Sequence, residues 1–582
     1  MDTAKLTQQV ERLRLDVDIL ADPRVREVVL LALNLVETVA AENRRLLDEN
    51  QKFKEIIRQL KGEPPTSTAP RTSTSTSTPR NVSSEKERRQ REHGPKPPRT
   101  DQRSFRDITV HEEILCPVEP ARRPPDAEFR GYEDVVVQDL HIKPHNIRYR
   151  LELWCSPSQG AIRGTLPLGV KGEFGADLKA LLVSLKYVAG TSLPRAQEFV
   201  QHFGVVISSA SVSNILLHTA ELFQSERADI LQAGFASTTY QQIDDTSARV
   251  AGQFWHTHVL CNPYYAAYFT TPNKDRLTVL DLLRSGTRTY RFDALTRQLL
   301  QDFRVPKKWR RCAASAPQDR DLTQVELDDL LERWQPARVG RERPACLARL
   351  VEAAAIASYR ARPDHVRILV SDDAKQFRRL TDELALCWIH EGRHYKSLSP
   401  LVPWHQQQLD GFLTRYWDFY AMLQAYRQTS CMERAAGLSS EFDHLFETQT
   451  GYEALDQRIA ATRRKKESLL TVLGHPEVPL HNNESELGER VAARRRDVSL
   501  HSVTPRGARA MDTFTTIVQT AKKLAVSGYA YLQDRISGQF LLPSLASLIR
   551  PRSPPDPTPA HPTYSPIDVS IGESAIPCAA SV

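Results

Sequence analysis

Between residues 24 and 61 apolar side chains recur with a seven-residue period. With Val29 as position a, the a series is Val29, Val36, Asn43, Asn50 and Ile57; the d series is Ala32, Val39, Leu46, Phe53 and Leu60. Apolar d positions with asparagine at two a positions predict a short parallel coiled coil, because a buried asparagine fixes register at some cost in stability. The alternative is an amphipathic helix packed on its own domain. A Pro/Thr/Ser-rich tract follows directly at 63–100 and offers little to pack against, so self-association is expected. That low-complexity stretch predicts a disordered linker over 63–108, and a Pro-rich end predicts a disordered tail over 541–582.

The pattern then becomes helical. "LPRAQEFVQHFG" places Pro194 in a first turn and Gly204 at a stop, and "SSASVSNILLHTAELF" opens with serine caps. Helix, glycine turn and capped helix over 174–230 outline either a DNA-binding helix-turn-helix or a plain helical pair. From 236 the period shortens to two. "STTYQQIDDTSARV" alternates, and "GQFWHTHVLCNPYYAAYFTT" reads as strands around a turn near Asn262-Pro263. A helix, "DRLTVLDLLRSG", follows. "HVRILVSDDAKQFRRL" reads as a buried strand, two aspartates and a helix, and "ALCWIHEGRHY" as one more strand. This order predicts an α/β core over 231–540, interrupted at 287–362 and 402–475.

Composition narrows the class. The 582 residues are long enough for several domains, and 40% hydrophobic with 26% charged is ordinary for a soluble chain. The formal charge of +7 is small, but basic residues cluster in "RVPKKWRR" (304–311), "ATRRKK" (461–466) and "RVAARRR" (490–496). That favours a polyanion over a membrane. The charged start is unlike a secretory signal, and "VREVVLLALNLV" is too short to span a bilayer. Eight cysteines without a CxxC pair read as reduced thiols in a cytosolic protein. Cys116 and Cys155, with His141 and His145 between them, match no zinc-ribbon spacing well, so a structural zinc is not expected.

Three acids remain. Asp244 and Asp372 end strand-like runs and Glu486 opens a helix in "LHNNESELGERVAARRR". Singly they read as a turn former, a helix cap and an i,i+4 partner of Arg490. Together they would project to one sheet edge. Two like charges about 4 Å apart repel by roughly 4 kcal/mol at an effective dielectric of 20, so converging carboxylates need cations. Two Mg²⁺ ions would serve.

These segments resemble the DDE transposases of the insertion sequence 66 family, from about Gly175 to Gly538. "IDDTSARV" is similar to that family's D-E-T segment and "ILVSDDAKQF" to its second acidic strand. "CWIHEGRHYK" is similar to its C-W-x-H-x-R-R motif through Cys387, Trp388, His390 and Arg393. The Leu480 segment resembles its D-N-N-x-x-E-R-x-x-R followed by a basic pair, which selects Glu486 over Glu484 and Glu489. It also aligns Arg490, Arg495 and Arg496. His481 stands where that family has Asp, Leu487 where it usually has Arg, Asp373 where it has a small residue, and the zinc ribbon is reduced over 109–173.

The resemblance implies an RNase H-like catalytic core with helical insertions. The coiled coil (1–62), the linker, a degenerate ribbon and a helical DNA-binding region would precede it. It implies Asp244, Asp372 and Glu486 as metal ligands for two Mg²⁺, replaceable by Mn²⁺. His390, Arg393, Arg490, Arg495 and Arg496 would contact DNA, supported by Asn482, Asn483 and Trp388. The partners would be terminal inverted repeats, target DNA, a second copy and accessory proteins of the same element, at the bacterial nucleoid. A catalytically inactive DNA-binding derivative and a coiled-coil scaffold without a DNA role are the competing readings.

Overall fold

The computed structural model describes residues 22–60 and 109–549, apart from 120–121, 125, 141, 168–171, 285 and 336–344. The expected linker, His141 and most of the expected tail lie outside these residues. Helix α1 (Pro23–Leu60) comes first, followed by a mostly irregular stretch with one hairpin, β1 (Leu153–Ser156) and β2 (Gly160–Arg163). Cys116 and Cys155 are both exposed there. Helices α2 (Ala176–Tyr187), α3 (Leu193–His202), α4 (Ser209–Leu222) and α5 (Gln224–Ser237) lead to the sheet. Ser192 and Ser208 cap α3 and α4 through their hydroxyls, and Gly204 makes the turn at φ +87°.

The sheet is mixed. β3 (Tyr240–Val250), β4 (Gln253–Asn262) and β5 (Tyr265–Thr271) form an antiparallel meander. Next come α6 (Arg276–Leu283), β6 (Tyr290–Arg291), α7 (Ala294–Asp302), α8 (Lys307–Ala314), β7 (Asp321–Leu322), α9 (Gln324–Trp334) and α10 (Ala345–Arg360). Strands β8 (Ile368–Ser371) and β9 (Glu383–Leu386) then add in parallel, giving the order β5-β4-β3-β8-β9. The strand expected in "ALCWIHEGRHY" ends at Leu386. Trp388–Lys396 is helix α11, whose buried Trp388, Glu391, Gly392 and Tyr395 follow the helical rather than the alternating period.

Helices α12 (Pro403–Gln428), α13 (Met432–Phe446), α14 (Glu453–Arg463), α15 (Lys466–Leu469) and α16 (Thr471–Gly474) build a second core on α11 around Trp388, Phe412, Tyr416 and Phe442. The chain returns to the sheet with α17 (Asn483–Ser499) and α18 (Pro505–Lys523), then α19 (Gly528–Ser537) and α20 (Leu545–Leu548). The expected tail therefore begins later than 541. Leu545 is fully buried, its N–H donates to the Tyr531 hydroxyl, and Leu541 N–H donates to Asp534, because "LLPSLASLI" is apolar enough to pack.

Strand β5 lies at the sheet edge, where unpaired amides would be a liability. Helix α18 supplies the partners: Thr520, Thr516 and Asp512 side chains accept from the N–H groups of Ala266, Tyr268 and Thr270. Four helical residues rise about 6 Å and two strand residues about 6.8 Å, so the two periods stay in step over this length.

Part of the apolar stripe of helix α1 is covered by its own chain. Val29, Leu30, Leu33 and Val36 pack on Val402 and Trp404. Buried Glu37 accepts from Leu401 N–H (2.6 Å) and Val402 N–H (2.7 Å) at the start of α12, and pairs with fully buried His405 (3.3 Å). Burial pushes Glu37 up, but these hydrogen bonds outweigh it and hold the carboxyl below its usual range. Asn34 clasps Gly451 O and Glu453 N–H. Two expected a residues are thus used within the chain, while Ala32, Val39, Leu46 and Phe53 of the d series are exposed. The docking surface lies more than 360 residues away in sequence, which the local pattern could not reveal.

Two outcomes are expected. Glu37→Ala leaves the first amides of α12 and His405 unpaired, so trypsin should cut at Arg44 and Arg45 of α1 well before it attacks the rest; equal cleavage rates with and without the change would refute the docking. Gly488→Ala, whose new Cβ would lie 2.6 Å from Val259, should destabilise urea unfolding by about 1–3 kcal/mol.

Candidate active site

The site follows from strand register. In the parallel pair, Gln242 lies beside Val370; Asp244 is two residues further along β3, and Asp372, two residues past Val370, directly follows the end of β8. Equal steps keep both side chains on one face. Backbone bonds hold the surroundings together: Cys387 N–H donates to Ser371 O, and Trp388 N–H to Leu480 O. The end of β8, the start of α11 and the segment entering α17 therefore meet.

Helix α17 delivers the rest. Asn482, just before it, is fully buried and donates Nδ2–H to Asp244 at 3.1 Å, while its Oδ1 has no hydrogen-bond partner. Glu486, one turn on, is also buried. Its carboxylate is 3.3 Å from the Arg393 guanidinium and 3.4 Å from His390 Nδ1. Arginine can only donate, so the 2.9 Å contact from Arg393 Nη1 makes His390 Nε2 an acceptor. A neutral His390 then carries its proton on Nδ1, facing Glu486. Burial, then Arg393, lowers His390 and favours that neutral form. The depth of α17 is set by Gly488, whose missing side chain leaves room for Val259 and whose carbonyl accepts from the Tyr268 hydroxyl.

The three glutamates separate by helical angle. Residues 484 and 486 are two apart and diverge; 486 and 489 are three apart and share a face. Glu484 pairs with Lys523 at 2.6 Å. Glu489, read from sequence as a flanking charge, instead belongs among the acids. Burial and then Asp245, Glu486 and Asp372 push it up to about 7. The i,i+3 spacing was the signal for this neighbour. Burial, then Glu489 and Asp372, push Asp244 up to about 9. Asp372 is raised by burial and by Asp245 and Asp373, with partial relief from the Ala374 N–H and from His390. Asp245 turns to Lys274 (2.9 Å) and Gln376 (2.6 Å).

Other sequence-named residues lie elsewhere. Arg495 is a correction: its guanidinium is committed to the Thr515 hydroxyl and to Tyr187 O at 2.6 Å and lies against the Tyr187 ring, so it is an interior residue rather than a phosphate contact. Arg496 donates to Thr246 (3.1 Å) and Ser247 O on β3. Arg490 sits half-buried one turn after Glu486. Trp388 is fully buried, donates to Leu469 O and anchors the helical insertion. Asn483 is the first residue of α17, with its Oδ1 unpartnered.

Asp244, Asp372, Glu486 and Glu489 offer hard oxygen donors, and their mutual repulsion fits a divalent cation such as Mg²⁺. Among the described residues, the ligand-type atoms that lie within 4.8 Å of one another in a group of three are those of Cys387, His390 and Glu486. Burial pushes the Cys387 thiol up to about 12, and His390 spends Nε2 on Arg393, so the oxygen-rich set is the better fit.

Stability should follow pH accordingly. Asp244, Asp372 and Glu489 are raised in the folded protein above unfolded values of about 4. Their contribution is fully present below that value and is lost as pH rises through about 7 and on to about 9. The melting temperature of protein stripped with chelator should fall from pH 6 to pH 9. Added Mg²⁺ should raise it most at the alkaline end, where protons no longer compete. A Mg²⁺ effect largest at pH 6 would contradict this.

Among the described residues no helix is long and apolar enough to cross a membrane. The sequence model of the Transposase IS66 family matches residues 171–295 and 357–510. The unmatched interval between them spans most of α7 through α10. "Uncharacterized protein y4jO" of Sinorhizobium fredii (strain NBRC 101917 / NGR234) is 32% identical over 322 residues, covering 55% of this chain and 99% of that protein. No solved structure matches the chain. The expected resemblance is borne out: the protein belongs to the IS66 transposase family.

Proposed function

We propose that the protein is a DDE transposase with an RNase H-like catalytic core. It cuts DNA at element ends and joins the freed 3′-hydroxyl to a target phosphodiester. The observation that carries this is the placement of Asp244 on β3 and of Asp372 directly after the adjacent parallel strand β8, with both Asp372 and the buried Glu486 of α17 close enough to act electrostatically on Asp244. Family membership supports transposition as the process.

Asp244, Asp372 and Glu486 would hold two Mg²⁺ ions, or Mn²⁺ in their place. Such ions polarise a phosphoryl oxygen and lower the pKa of a bound water. The chain's own residues do the positioning. Asn482 orients Asp244 and Arg393 orients Glu486, while His390 Nδ1 lies 3.4 Å from Glu486 without a hydrogen bond to it. Arg393, Arg490 and Arg496 steady the DNA phosphates by charge-assisted hydrogen bonds, whereas neutral His390, its Nε2 accepting from Arg393, serves to position that arginine. End binding should accordingly weaken steeply with salt. The exposed apolar residues of α1, Ala32, Val39, Leu46 and Phe53, suit pairing with a second copy, which would hold two element ends together at the bacterial nucleoid. Accessory proteins of the same element are compatible partners.

His481 and Leu487, where the family has Asp and Arg, favour the competing reading of a DNA-binding derivative without turnover. Mg²⁺-dependent nicking and joining of DNA ends from the flanking sequence separates the two. Glu486→Gln should abolish turnover by at least about 10²-fold while end binding survives, and Glu484→Gln should stay near the parent. Inactivation by Glu489→Gln alone would move the ligand one turn along α17. Binding without cleavage by the intact protein, accessory factors included, would establish the non-catalytic reading.

A further inference from the structure

The basic run 461–466, one of three basic clusters that favour a polyanion partner, is largely engaged with the protein itself. Lys466 pairs with Asp443 at 2.6 Å and Arg463 is 2.5 Å from Glu447. Lys465 points inward. Its ammonium lies 2.7 Å from Asp373 and 2.9 Å from Glu391, with its side chain 18% exposed. Asp373 directly follows Asp372, and Glu391 directly follows His390. One cation from the helical insertion therefore grips the neighbour of a site residue on each of two different elements.

Both grips are built rather than incidental. Glu391 is 3% exposed and is also held by Arg458 and the Thr462 hydroxyl, which in turn meets the Tyr395 hydroxyl. Asp373 is also held by Arg378 at 2.6 Å. The carboxylate at 373 belongs to the residue directly after Asp372. Unrestrained, it would lie next to Asp372 and compete for the same cation.

We infer that Lys465 is a positioning residue for the carboxylate site: it holds Asp373 away from the cation-binding side of Asp372 and ties the helical insertion to that strand end. This rests on the proposed metal-dependent reading of the site. A structural lysine would act through Glu391 and the helices. A sequestering lysine acts through Asp373, so removing Asp373 should make it dispensable.

The experiment uses the full chain and Mn²⁺ as the probe, followed by titration calorimetry and by the Mn²⁺ spin-resonance spectrum, with nicking kinetics on DNA ends alongside. Lys465→Met should weaken Mn²⁺ binding by about 10-fold and lower kcat, with KM for DNA unchanged. Lys465→Arg should retain most of both. Lys465→Met/Asp373→Ala should recover the Mn²⁺ affinity and spectrum of Asp373→Ala alone. Melting without metal checks that each variant folds. Unchanged Mn²⁺ binding in folded Lys465→Met overturns the inference, and so does a double variant that stays defective. A folded parent that binds no Mn²⁺ overturns the metal-dependent reading, and this inference with it.

Discussion

Like-charged carboxylates buried side by side are the constraint around which this protein is arranged. Asp244, Asp372 and Glu489 are all pushed above the ordinary carboxylate range, which means folding works first against the burial of these charges and then against the repulsion of neighbouring carboxylates. That geometry persists only because other contacts over-determine it. The strand register places two of the acids. Asn482, the close approach at Gly488 and the grip of Arg393 on Glu486 bring α17 to meet them.

The helical insertion serves the same site from outside. Its aromatic core closes on Trp388, the first residue of α11, and so fixes the helix that carries His390 and Arg393. Glu391 draws Arg458 and Lys465 of the insertion onto that helix. On the other flank, α18 completes the hydrogen bonding of edge strand β5, so the meander carrying Asp244 is braced at both sides. The residues that contact the acids are few; the elements that keep those residues still make up most of the chain between 174 and 549.

Much of this was legible in the residues. Alternation in "IDDTSARV" and the apolar run before Asp372 specify strands whose ends carry acids, because a strand's side chains alternate whatever surrounds it. Serine caps and Gly204 mark α3 and α4 by local hydrogen bonding and backbone freedom. The family motif selected Glu486 from three glutamates; in the structure Glu486 is buried against Arg393 while Glu484 pairs with Lys523. Such features depend on neighbours within one or two turns.

Tertiary structure decided what distance in sequence concealed. Arg495 and Lys465 sit in basic runs that read as suited to a polyanion, yet partners far along the chain engage both. Helix α1 carries a period suited to a second copy, but part of that stripe meets Val402 and Trp404 of its own chain. Glu489 joins the acids because α17 lands against β3 at one particular rotation. Periodicity and capping are set by the covalent backbone and near neighbours. Which face is covered, and which charge finds a partner, is set by long-range packing, and only the folded chain determines that.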